Sequence, residues 1–87
     1  MPRISAFYGI TIWMYWNEGA HAQPHFHARY AGKAASVDFA GSVIVGSLPP
    51  RALGLVAEWA GLHHDELLAN WEWARREDSL ERIDSLA

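Results

Sequence analysis

The feature that most constrains this chain is a change of period at Pro49 and Pro50. Before the two prolines, apolar and polar residues alternate in short runs separated by turn formers; after them, apolar residues recur at steps of three and four. A period of two belongs to strands and one near 3.6 to helices. The chain must therefore build a sheet first and cover it with helix afterwards. Proline suits the junction, because at the first helical position it gives up no hydrogen bond.

The run "ISAFYGITIWMYW", Ile4 to Trp16, is dense in β-branched and aromatic residues. It reads as one central strand, with Ile10, Ile12, Met14 and Trp16 on one face and Gly9, Thr11, Trp13 and Tyr15 on the other. "NEGAHAQP" supplies turn chemistry through Asn17, Gly19 and Pro24. From His25 to Tyr30 the alternation is clean: His25, His27 and Arg29 share one side, Phe26, Ala28 and Tyr30 the other. Gly32 marks a hairpin turn, after which Ala35, Val37 and Phe39 alternate with Ala34, Ser36 and Asp38, and "SVIVGSL" is a short fourth strand. Sequential strands joined by tight turns form an antiparallel meander, one face of which can stay wet.

Beyond the prolines, Leu53, Val56, Ala57, Ala60, His64, Leu67, Leu68 and Trp71 form a core-facing helical stripe, and Trp59, His63, Glu66 and Asn70 follow the same steps on an adjacent face. An unbroken helix from Pro50 to Arg76 would be about 40 Å long at 1.5 Å per residue, roughly twice the span of a typical strand. A break near Gly61, or a projecting second half, is therefore expected. In the tail, Leu80, Ile83 and Leu86 have spacing compatible with helix. The expected fold is a single α+β domain over residues 1–87: an antiparallel three- to four-stranded meander followed by a long or broken C-terminal helical segment packed on one sheet face.

A chain of 87 residues buries only about 60 to 65 % of its unfolded surface, so its core has to be rich. Half of the residues are hydrophobic, and Trp13, Trp16, Trp59, Trp71 and Trp73 add large rings that can serve either the core or a partner interface. Cysteine is absent, which excludes disulfides and thiolate metal sites and suits a reducing cytoplasm. No stretch reads as a signal peptide or a membrane span. A net charge of −3 argues against a general affinity for nucleic acid, although Arg3, Arg29 and Lys33 beside Tyr8, Tyr30 and Trp13 offer a basic-aromatic surface for single-stranded RNA.

The segment "QPHFHARY" carries the strongest chemical signal. On a strand, His25 and His27 point the same way with Cα atoms about 7 Å apart, and imidazole is both a proton-transfer group near neutral pH and the commonest metal ligand. Two chemistries follow. With His63, and with Arg29, Glu66 and Asn70 in support, the pair could perform metal-independent general acid–base cleavage of a phosphodiester. Alternatively His25, His27 and His21 could hold a divalent metal such as zinc, nickel or copper; otherwise no cofactor is expected. His63 and His64 are adjacent and point about 100° apart on a helix, so they cannot share one ion. The plainer accounts are a solvated strand face and an ordinary exposed helix face.

Three stretches, "MPRISAFYGITIWMYWNEG", "PHFHARY" and "LPPRALGLVAEWAGLHHDELLANWEWA", together resemble the bacterial and archaeal family known as domain of unknown function 4160. The resemblance covers the chain up to the tail after Arg76 and rests on Pro24, His25, Phe26, His27, Trp59, His63, Asn70 and Trp71. Gly54 and Gly61 depart from it, standing where better helix formers are usual. It implies a single-domain member of a two-gene module of toxin–antitoxin type, and supplies no catalytic residues. The leading expectation is thus a protein-interaction module whose exposed tryptophans bind a small cognate protein encoded nearby. The ribonuclease and the histidine metal site stand as alternatives, with RNA or a second copy of the chain as other partners.

Overall fold

Tyr8 and Gly9 both adopt left-handed backbone angles, φ 49° and 80°, and so fold the first apolar run back on itself. Two such residues make the two-residue hairpin turn whose twist matches that of the flanking strands. The single strand expected from Ile4 to Trp16 is therefore two, β1 (Arg3–Phe7) and β2 (Ile10–Trp13). In this computed structural model, which describes residues 2–16 and 23–86, three further strands follow: β3 (His25–Tyr30), β4 (Lys33–Asp38) and β5 (Val43–Gly46). The sheet has five strands rather than three or four, in the order β1-β2-β3-β4-β5 with all neighbours antiparallel.

Ile10, Ile12 and Met14 keep their expected inward face, but Trp16 does not. It is exposed, and its Nε1 donates to the carbonyl of Asp78 at 2.7 Å. A bulge between Arg3 and Ser5 turns both Ile4 and Ser5 inward, leaving Ser5 Oγ buried without a hydrogen-bond partner among the described residues. The β3–β4 hairpin turns on Ala31 and Gly32, as expected. Asp38 shapes the turn into β5, its Oδ1 accepting from the backbone N–H of Ala40 and of Ser42 at 3.0 and 2.9 Å.

Pro49 and Pro50 open helix α1 (Pro50–Leu62), and α2 (His64–Arg75) follows after a one-residue break. The break falls at His63, φ −118° and ψ 28°, two residues beyond Gly61. The buried stripe is also rotated from the expected one. Ala52, Val56, Trp59 and Ala60 face the sheet in α1, and Leu67, Asn70, Trp71 and Ala74 do so in α2, while His64 and Leu68 are exposed. Trp59 has far more apolar area to bury than Leu53 or Ala57, and the helix turns to place it inward. Its ring packs 5.5 Å from Phe7 and 5.6 Å from Phe26.

Helix α2 ends in a reciprocal pair of backbone bonds, Glu77 N–H to Ala74 O and Asp78 N–H to Trp73 O, with Glu77 at φ 59° in the position glycine usually takes. The tail after it carries no helix or strand. Ile83 is buried, and its N–H donates to Ile4 O at 2.7 Å, along the β1 edge. Asn70 fixes this strap from both sides, Nδ2 donating to Glu81 O at 2.9 Å and Oδ1 accepting from Glu81 N–H at 3.0 Å. Replacing Asn70 by alanine should cost about 2 kcal/mol in urea denaturation, because two hydrogen bonds to the Glu81 backbone are lost. Unchanged stability with unchanged amide exchange in the tail would show that the clamp contributes nothing.

Candidate functional site

Strand register builds the outer sheet face. Residues directly opposite each other on antiparallel strands share a side, so the pairings Arg3 with Trp13, Trp13 with His27, His27 with Ser36 and Ser36 with Val45 draw one row across all five strands. Phe26, on the other side of β3, packs against Trp59 of α1. The row therefore lies on the face turned away from the helices.

His27 is its centre. Its ring lies 4.6 Å from that of Tyr15 and 5.2 Å from that of His25, and Nδ1 shares a hydrogen bond with Ser36 Oγ at 3.3 Å. The Arg29 guanidinium sits 4.9 Å above the Trp13 ring and donates to Tyr15 Oη at 3.1 Å. Trp13 Nε1 donates to Thr11 Oγ1 at 2.9 Å. His25, nearly buried, holds Nδ1 2.8 Å from the carbonyl oxygen of Gln23. A carbonyl oxygen can only accept, so the ring carries its hydrogen on Nδ1 and, when neutral, its lone pair on Nε2. The same ring lies 5.2 Å from that of Trp71 in α2. Two imidazoles, a phenol and a guanidinium thus meet on one side of the sheet, a set able to donate, accept and stabilise negative charge.

The other expected members of the set lie elsewhere. His63 Nδ1 is 2.6 Å from Glu66 Oε1, and its ring packs at 5.7 Å on Trp59, so the contacts of His63 and Glu66 are with the helical layer. Asn70 is engaged with the tail. Of the basic-aromatic surface, Arg3, Trp13 and Arg29 come together, whereas Tyr8 and Tyr30 line a hollow beside α1. Among the described residues no three of His, Asp and Glu gather into a group that could hold a metal ion; His21, the third ligand expected for one, lies outside the described residues. Tyr15 and Ser36 are the members that sequence reading missed. Counting outwards from the Ala31–Gly32 turn would have paired His27 with Ser36, and the β2 alternation already put Tyr15 on the side of Trp13.

A second surface is equally distinct. Strand β5 closes the sheet on one side, and Val43, Ile44 and Val45 are 38, 43 and 67 % exposed. From Phe39 to Pro50 the chain carries no charge. Of the tryptophans expected as partner anchors, Trp59 and Trp71 are buried, Trp13 and Trp73 are half-buried, and Trp16 is exposed. Among the described residues, no helix is long and apolar enough to cross a membrane.

Compared with known families, residues 9–72 match the one described as a domain of unknown function, DUF4160. No curated protein and no solved structure matches the chain.

Proposed function

From the fact that this chain belongs to the DUF4160 family, we propose that it acts by binding a small partner protein, as one half of a toxin–antitoxin-type module, and receives that partner on β5. The observation that carries this reading is the exposed, uncharged β5 edge. An edge strand presents a row of backbone donors and acceptors that an incoming strand can complete, and side-chain pockets on either side give specificity. Proteins that stay alone usually guard such an edge with lysine, proline or a covering segment. Here the opposite edge, β1, is met by the tail through Ile83, while β5 has three exposed aliphatic side chains in succession.

Val45→Lys places a charge on the most exposed of them. It should leave the fold within about 0.5 kcal/mol of wild type and weaken binding of the adjacent gene's product at least tenfold, read by calorimetry. In the wild-type complex the amides of Val43 to Gly46 should exchange more slowly. Full-strength binding by the lysine variant, with no added protection of those amides, would refute the β5 assignment.

A second reading is favoured by the His25–His27 pair. Side by side, with Arg29 and Tyr15 next to them, they suit metal-independent cleavage of single-stranded RNA: one imidazole takes the 2′-hydroxyl proton as the other protonates the leaving oxygen. Under this reading, wild-type protein cleaves RNA in the presence of EDTA, and the double variant His25→Ala, His27→Ala loses at least a hundredfold in rate while still binding the partner. Intact RNA after incubation with wild type between pH 5 and 8 would dispose of it.

A further inference from the structure

Along the outside of α1, Arg51, Leu55, Glu58 and Leu62 follow one another at steps of four, three and four, which keeps them on one face. That face borders a groove of about 570 Å³ completed by Tyr8, Ser85 and Leu86. Through Tyr8, Arg51 and Leu55 it runs on into a hollow of about 360 Å³ over Ile10, Tyr30 and Ala52. Leu62 and Tyr8 are 66 and 60 % exposed, so a trough of mixed polar and apolar lining lies open beside a helix that carries one cation and one anion. Beside the stripe, a Cβ added to Gly54 or Gly61 would meet nothing within 4 Å, so a neighbouring backbone can come close there.

We propose that this trough receives α1 of a second copy of the chain, the two helices running antiparallel about a two-fold axis. Charge placement selects this occupant. Arg51 and Glu58 stand about 10.5 Å apart along the helix axis, too far to pair with each other. An antiparallel copy centred between Gly54 and Leu55 brings Arg51 opposite the partner's Glu58 and Glu58 opposite the partner's Arg51, and sets each Leu55 over the partner's Gly54. A parallel copy would oppose like with like. The contact is isologous, as a two-fold requires, and it leaves β5 on another edge of the molecule, so it does not depend on the partner-binding reading.

Sedimentation equilibrium of the full chain tests the arrangement by charge exchange. Wild type should show a monomer–dimer equilibrium that weakens with added salt. Arg51→Glu and Glu58→Arg should each raise the dimer dissociation constant about tenfold or more, through like charges brought together. The double exchange Arg51→Glu, Glu58→Arg should return it to within about threefold of wild type, since both pairs re-form with reversed sign. Circular dichroism of the variants, all at exposed positions, should match wild type. Val45→Lys should leave the dimer intact. A wild type that stays monomeric up to millimolar concentration would overturn the proposal, as would a double exchange that fails to restore dimerisation. Dissociation by Val45→Lys would also overturn it, because the copies would then be pairing through β5.

Discussion

Trp59→Ala is expected to lower the unfolding free energy by about 3 to 5 kcal/mol. Trp59 is fully buried and is the point at which three parts of the chain meet. Its ring touches Phe7 of β1 and Phe26 of β3, and its Nε1 donates to Asp84 O of the tail at 2.8 Å. Alanine leaves a cavity between helix and sheet and removes the indole donor from the Asp84 carbonyl. A domain of this size is stable by roughly 4 to 13 kcal/mol, so the variant loses at least about a quarter of its stability. Trp59→Phe should lose less, since it keeps much of the packing and forfeits the hydrogen bond. Urea titration followed by far-ultraviolet circular dichroism measures both; a loss below about 1 kcal/mol for alanine would contradict the packing described.

Gly46→Ala should cost about 2 to 4 kcal/mol by a different route. Gly46 has φ +87°, and a Cβ there would stand 2.3 Å from Ala34 O and 3.0 Å from Ala35 Cα. Both obstacles are backbone of the neighbouring strand, so no side-chain rotation can relieve the clash. The strand must move away, taking with it the Ala35–Gly46 pairing and the bond from Ser47 N–H to Ala34 O. The expected result is a melting temperature lowered by more than about 8 °C, together with fast amide exchange confined to β5 and its turn. Wild-type exchange in β5 would show that the strand tolerates a methyl group there. The same variant should lose the partner if β5 is where the partner binds.

Much of the fold is legible in the sequence because period and punctuation agree. The alternation from His25 to Phe39 fixes β3, the Ala31–Gly32 turn and β4 together, and the double proline marks the start of α1. What was not legible came from residues whose local signal is overruled by packing. Tyr8–Gly9 sits between two runs of strand formers, so the turn is hidden by the hydrophobicity on either side. "SVIVGSL" reads as a strand, yet an apolar run alone does not say that it ends the sheet with its side chains in solvent.

At the candidate site, His25 and His27 were placed together by alternation alone, and they are together. His63 could not be placed in that way, because which layer a helical line faces is set by packing, and its ring settles on Trp59 and beside Glu66 in the helical layer. Asn70 illustrates a different limit. A buried amide on a helix looks like a functional polar group until its partners are known, and both its partners here are backbone atoms of Glu81, a segment whose spacing suggested helix.

The bond from Ile83 N–H to Ile4 O joins two points separated by almost the whole sequence. Closing so long a loop carries a substantial entropic cost, and contacts of this kind form late and slow folding. During vectorial synthesis the sheet and α1 can emerge and collapse, but the Trp59 indole and the Asn70 amide must wait for Asp84 and Glu81 before they find their acceptors. A nascent chain arrested before Glu81 therefore leaves both side chains without these backbone partners, and the β1 edge without Ile83.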